Sequence, residues 1–157
     1  MAFRFPFEEL VVVSEIDRQR MERLLMEVEE ALDVINSVLE KREDEFVSDV
    51  VLIYAVRYAI VEIVEAATLV GAHILEGRYG VSVETYSDVF EQLSRRGVIS
   101  PDVSEGFRRL VGLRNLIVHR YWTVDDARIY REAKGNGLRV IREFVNEVRK
   151  YVEKETK

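Results

Sequence analysis

Four residues of this 157-residue chain that are suited to chemistry fall within eight positions: Arg114, Asn115, His119 and Tyr121. An arginine presents a planar, permanently charged fork that matches two oxygens of a phosphate. A histidine exchanges protons near neutral pH. Together they suit cleavage of an RNA phosphodiester without a metal or other cofactor. The ribose 2′-hydroxyl attacks, the arginine steadies the developing charge, and the histidine works as acid or base. On a regular helix Asn115 and His119, four apart, share a face, so the amide can hold the imidazole in one orientation. Arg114 and Tyr121, seven apart, nearly eclipse each other on an adjacent face, from which the guanidinium can reach toward His119 without being forced to. One histidine does not easily serve as both acid and base, whereas a two-fold dimer supplies two of each group. An Arg–His spacing by itself is common, and a histidine on a helix is more often a packed or surface residue.

The formal charge of the chain is −6, which speaks against a nucleic-acid partner until its distribution is followed. Between residues 95 and 121 stand six arginines and only two acids, so this stretch is locally basic in an acidic protein. Arg108, Arg109 and Arg120 are the candidates there for phosphate contacts, since binding depends on local cations more than on the total. A solvated helix face accounts for the same pattern. The chain has no cysteine, which excludes disulfides and thiolate metal sites. The first residues lack the apolar core of a signal peptide. The longest apolar stretch, around Val50 to Leu75, is broken by Arg57, Glu62 and Glu65, which argues against a membrane span. A cytoplasmic location is the default expectation.

The elements that must position these residues read as helices. Apolar residues recur at Met21, Leu25, Val28, Leu32, Ile35 and Leu39, a helical stripe predicted over about 14–42 with Ser14 and Asp17 at its start. A second, nearly all-apolar helix is expected from about Ser48 to Leu75, closed by the run Gly77 to Gly80. A third fits Thr85 to Arg96, stopped by Gly97. Ser100-Pro101-Asp102 opens a fourth, predicted to run to about Trp122. The last begins near Asp125 and is interrupted at Gly135-Asn136-Gly137. The prediction is an all-α, up-and-down bundle of about five helices over residues 14–157. Residues 1–13 form an apolar N-terminal extension that needs cover from its own bundle or from a second subunit.

The run Arg114-Asn115-Leu116-Ile117-Val118-His119-Arg120-Tyr121 resembles the R-x-x-x-x-H-x-Y signature of the HepT-like branch of the HEPN superfamily. The likeness extends to Val61–Ala67 with His73, to Tyr86–Leu93 and to Gly97-Val98-Ile99, and covers about residues 14–150. It implies a dimeric, metal-independent endoribonuclease, the toxin of a type VII toxin–antitoxin pair, with its cleft between subunits. By the same resemblance Arg114 and His119 are the catalytic pair and Asn115 supports them. Tyr121 is the tyrosine to which an MntA-like minimal nucleotidyltransferase, the antitoxin, adds AMP. A bulky anionic group there blocks the groove and repels RNA.

Other residues have plainer readings. His73 is expected to be a hydrogen-bonded core histidine. Glu62 and Glu65 lack the Glu-x-x-His partner of a bundle metal site, which is therefore rejected. Arg57 is expected to pair with Glu62 or with a carboxylate of the partner subunit. Tyr54, Tyr58, Trp122 and Phe144 are read as core rather than as base-stacking platforms. The homodimer is expected to pack around the second and fourth helices. Two functional alternatives remain: a non-catalytic module that holds a nucleotide or substrate for a nucleotidyltransferase, and a purely structural helical dimer.

Overall fold

The computed structural model describes residues 16–155, so the N-terminal reading of residues 1–13 lies outside the described residues. The protein is all-α, with seven α-helices and no strand among those residues. Helix α1 (Arg18–Val38) starts at Asp17, whose carboxylate accepts a hydrogen bond from the Arg20 amide at 3.0 Å. Its stripe from Met21 through Val28 to Ile35 is buried, as the periodicity predicts. A five-residue helix, α2 (Glu43–Val47), follows where no element is expected. Three acids in its first turn favour the positive helix end, and Phe46 is fully buried.

Helix α3 (Val50–Tyr79) is capped by Asp49, which accepts from the Val51 amide at 3.0 Å. It outruns the predicted end at Leu75, because Gly77 stays helical and the left-handed terminus falls on Gly80, with φ of 65°. Helix α4 (Tyr86–Arg95) is capped by Thr85, and Gly97 (φ 75°) turns the chain after it. Ser100 and Pro101 open α5 (Pro101–His119), as their types predict. A short 3₁₀ turn spans Tyr121–Thr123. Beyond it lie α6 (Asp126–Glu132), a π-turn over Ala133–Gly137 at the expected glycines, and α7 (Arg139–Glu155).

Helix α3 is the centre of the bundle, packing along α1 and against α4 and α5, while α7 closes over α5 and α1. Phe90, Phe107 and Phe144 are fully buried and join α4, α5 and α7, with ring centroids 4.7 to 6.0 Å apart. Such a cluster contributes dispersion as well as apolar burial, and so fixes α5 on its scaffold. Helix α4 can lie close to α3 because Gly71 has no side chain. A β-carbon there would meet Val89 at 2.4 Å and Leu93 at 2.8 Å. Arg149 on α7 reaches Glu22 and Glu29 on α1, tying the first helix to the last. His73 is half-buried and its Nε2 accepts from the Asp17 amide at 2.9 Å. It is therefore a hydrogen-bonded histidine at the edge of the core, carrying its proton on Nδ1.

Candidate functional site

Arg114 and His119 both lie on α5, but they face different ways. Five residues along a helix turn the side chain by about 140° and advance it about 7.5 Å. Arg114 is turned inward, its side chain only 16% exposed, and bonds Oε1 of Glu65 on α3 through Nε (3.1 Å) and Nη2 (2.8 Å). Its Nη1 donates to Oδ1 of Asn115 at 3.1 Å. The ring of Tyr86, first residue of α4, lies 4.8 Å from the guanidinium carbon, and its hydroxyl donates to both oxygens of Glu65, at 2.8 and 3.0 Å. That bond to Glu65, with burial and the carboxylate charge, raises the Tyr86 phenol above its ordinary pKa, so it remains a donor.

His119 is the last residue of α5 and is exposed. Asn115 accepts from Arg114, so the side-chain pairing of Asn115 with His119 suggested by their spacing is replaced by one with Arg114. Tyr121 does not share the helix. Arg120 leaves helical geometry at φ −141° and ψ 49°, and α5 stops three residues short of the predicted Trp122. The eclipsed placement of Arg114 and Tyr121 fails for that reason. Tyr121 stands on the 3₁₀ turn, 60% exposed, with its ring edge-on to Trp122 at 5.3 Å.

The turn is held from the opposite side. Arg57 on α3 forms a two-pronged ion pair with Asp126, through Nε (2.9 Å) and Nη2 (2.7 Å), and donates from Nη1 to the Tyr121 carbonyl at 3.3 Å. Within the chain the partner is thus Asp126 rather than Glu62. Glu62 instead faces Glu27 and Glu30, and burial together with their charge raises its pKa.

Arg108 and Arg109 lie on the exposed side of α5, both near Glu105, at 3.6 and 4.0 Å. Arg120 is exposed beside His119. A cleft of about 920 Å³ opens between α5 and the α6–α7 region; Arg109, Arg139 and Leu113 line it, but Arg114 and His119 do not. Tyr54, Tyr58 and Trp122 are surface residues, 63%, 69% and 69% exposed, and only Phe144 of that predicted core set is buried. An apolar helix all round carries no mark of which side stays open. With Val50 and Val51, both also exposed, Tyr54 and Tyr58 form an apolar strip along the start of α3. Among the described residues no helix is long and apolar enough to cross a membrane, and no three acidic or histidine side chains are grouped to hold a metal.

Sequence reasoning missed Glu65 and Tyr86 as partners of Arg114. The visible signal for Glu65 was a carboxylate in a largely apolar helix, which demands a cation nearby, and Tyr86 carried none.

Residues 28–148 match the family model described as "Ribonuclease HepT-like". This chain belongs to the ribonuclease HepT-like family. An RNase candidate of Archaeoglobus fulgidus is 30% identical over 106 residues, covering 68% of this chain and 76% of that protein. The fold is shared with the tri-AMPylated Shewanella oneidensis HEPN toxin, solved in complex with its MNT antitoxin. The TM-score is 0.78 and the identity 19%, over 85% of this chain and 99% of that one. It is shared equally with the Bacillus subtilis cytosolic protein YutE, of unknown function, with a TM-score of 0.76 and 18% identity over 89% of this chain and 93% of that one. The family model contains Arg114, Asn115, His119 and Tyr121 within its matched span and leaves residues 1–27 outside it.

Proposed function

We propose that this HepT-like protein is the toxin of a toxin–antitoxin pair and a metal-independent endoribonuclease. The observation that carries the reading is the state of Arg114. It is a half-sheltered guanidinium anchored on one edge by Glu65, on the same helix as an exposed His119 whose ring no described side chain holds. The ribose 2′-oxygen attacks phosphorus while its proton passes to a base. The bond to the 5′-oxygen breaks, and that oxygen takes a proton from an acid, leaving a 2′,3′-cyclic phosphate and a 5′-hydroxyl. Arg114 meets the charge growing on the phosphoryl oxygens, and His119 handles a proton. Asn115 supports Arg114, and Arg108, Arg109 and Arg120 draw in the RNA backbone.

Because Arg114 and His119 diverge around α5, two copies are needed to surround one phosphate. The exposed strip Val50, Val51, Tyr54 and Tyr58, with Val118, Tyr121 and Trp122 beyond, supports a homodimer across α3 and the end of α5. Silencing falls to an MntA-like nucleotidyltransferase that adds AMP to Tyr121, a phenol already at the surface two residues beyond His119. The test is incubation of the unmodified protein with RNA in chelator, with sequencing of the ends. Wild type should produce 5′-hydroxyl ends, and His119→Ala and Arg114→Ala should lose about 10²-fold or more in rate. Cleavage that needed magnesium, or that persisted in both variants, would refute the chemistry. Tight RNA or nucleotide binding with no cleavage would favour a binding module instead.

A further inference from the structure

We propose that Glu65 and Tyr86 are positioning residues that fix Arg114 with two N–H groups left for a phosphate of RNA; this rests on the ribonuclease reading above. A guanidinium carries five N–H donors. Glu65 Oε1 takes the pair on Nε and Nη2, at 3.1 and 2.8 Å, and Asn115 takes one on Nη1 at 3.1 Å. One hydrogen remains on Nη1 and one on Nη2. These two terminal nitrogens are neighbours and can grip two phosphate oxygens together. Glu65 is itself fixed, because the Tyr86 hydroxyl donates to both of its oxygens, and the Tyr86 ring covers a face of the guanidinium at 4.8 Å. Three helices, α3, α4 and α5, thus meet at one fork.

The arrangement has an electrostatic signature. The Glu65 carboxylate repels an incoming phosphate, so its charge opposes ground-state binding of RNA while its geometry serves the reaction. Removing the charge should therefore leave RNA binding unchanged or tighter and still slow cleavage. A purely structural residue would weaken both together.

The test uses the full chain and a fluorescein-labelled 20-nucleotide single-stranded RNA of mixed sequence, with dissociation constant and single-turnover rate measured separately at one salt concentration. Glu65→Gln should slow cleavage about 10- to 100-fold, the scale of an ångström of misplacement, with no loss of binding. Tyr86→Phe keeps the ring, removes one oxygen, and should slow the same step several-fold, which covers the case of Glu65→Gln folding poorly. In the double variant with Arg114→Ala, Glu65→Gln should add nothing further. In the unliganded protein the Arg114 Nε–H resonance should shift in Glu65→Gln. Wild-type rates in both single variants while Arg114→Ala is inactive would overturn the positioning role alone. So would losses that multiply in the double variant. Wild type that leaves RNA intact, or Arg114→Ala that cleaves normally, would overturn the ribonuclease reading and this proposal with it.

Discussion

Replacing Asp126 by alanine isolates what the Arg57 clamp is worth. The variant removes both prongs of the pair, at 2.9 and 2.7 Å, and leaves Arg57 only its 3.3 Å bond to the Tyr121 carbonyl. The two side chains are 15% and 16% exposed, far closer to a buried pair than to a surface one. Breaking a fully buried pair costs about 3–5 kcal/mol because a charge is stranded, whereas an exposed pair is worth about 0–1 kcal/mol. Asp126 is also the first residue of α6, where a negative charge contributes about 0.3–1 kcal/mol. The residual exposure and the surviving carbonyl bond pull the figure below the buried limit, to about 2–3 kcal/mol. In a chain of this size that lowers Tm by about 5–10 °C. Thermal unfolding by circular dichroism measures it. The paired replacement Arg57→Met with Asp126→Leu should recover most of the loss, since no charge is then left alone. A loss under about 1 kcal/mol for Asp126→Ala, or a double variant no better than the single one, would show that stranding of Arg57 is not the cause.

Phe107→Ala removes the ring between Phe90 and Phe144 and should cost about 3–5 kcal/mol in urea unfolding. Trp122→Glu with Tyr58→Glu should leave the helical content intact but shift light scattering from dimer to monomer, and an unchanged mass would remove these residues from the interface. With a cognate nucleotidyltransferase and ATP, wild type should gain mass in steps of roughly 329 Da at Tyr121, and Tyr121→Phe should gain none. Burial, followed by the charge of Arg20, lowers the His73 pKa, with Asp17 and Glu76 acting against them. The neutral ring that accepts from Asp17 is favoured in the fold, so this contribution is complete above the ordinary histidine value of about 6.5 and is lost as pH falls through the lower folded value. His73→Gln, which cannot ionise, should flatten unfolding stability in that window, and an unchanged slope would place the effect elsewhere.

Local signals served where they had physical content. The stripe of α1, the Thr85 and Ser100-Pro101 starts, the stop at Gly97 and the break at Gly135 all follow from side-chain period or backbone preference. Helix α2 escaped notice because five residues show no period and only Phe46 enters the core. The end of α5 at His119 carries neither glycine nor proline, so pattern alone ran the helix onward to Trp122. The motif residues were legible from type and family resemblance, but their companions were not. Glu65 lies 49 residues from Arg114, and Asp126 lies 69 from Arg57, separations for which no spacing rule exists. The exposure of Tyr54 and Tyr58 was equally hidden, since their types fit a core and a subunit interface alike.

The unbroken helix between Arg114 and His119 makes their relative bearing a matter of counting. One residue inserted between them swings the imidazole by about 100° and lifts it by about 1.5 Å, while four residues restore the bearing to within about 40° but carry the ring about 6 Å away. No side-chain adjustment compensates for either change, so this stretch admits substitutions but not a change of length. Length variation is expected instead in segments between helices, such as 81–85, which lie outside the helix that fixes this bearing. An aligned set of relatives in which the arginine and histidine kept their separation while those loops varied would carry this mechanical rule in its pattern of gaps.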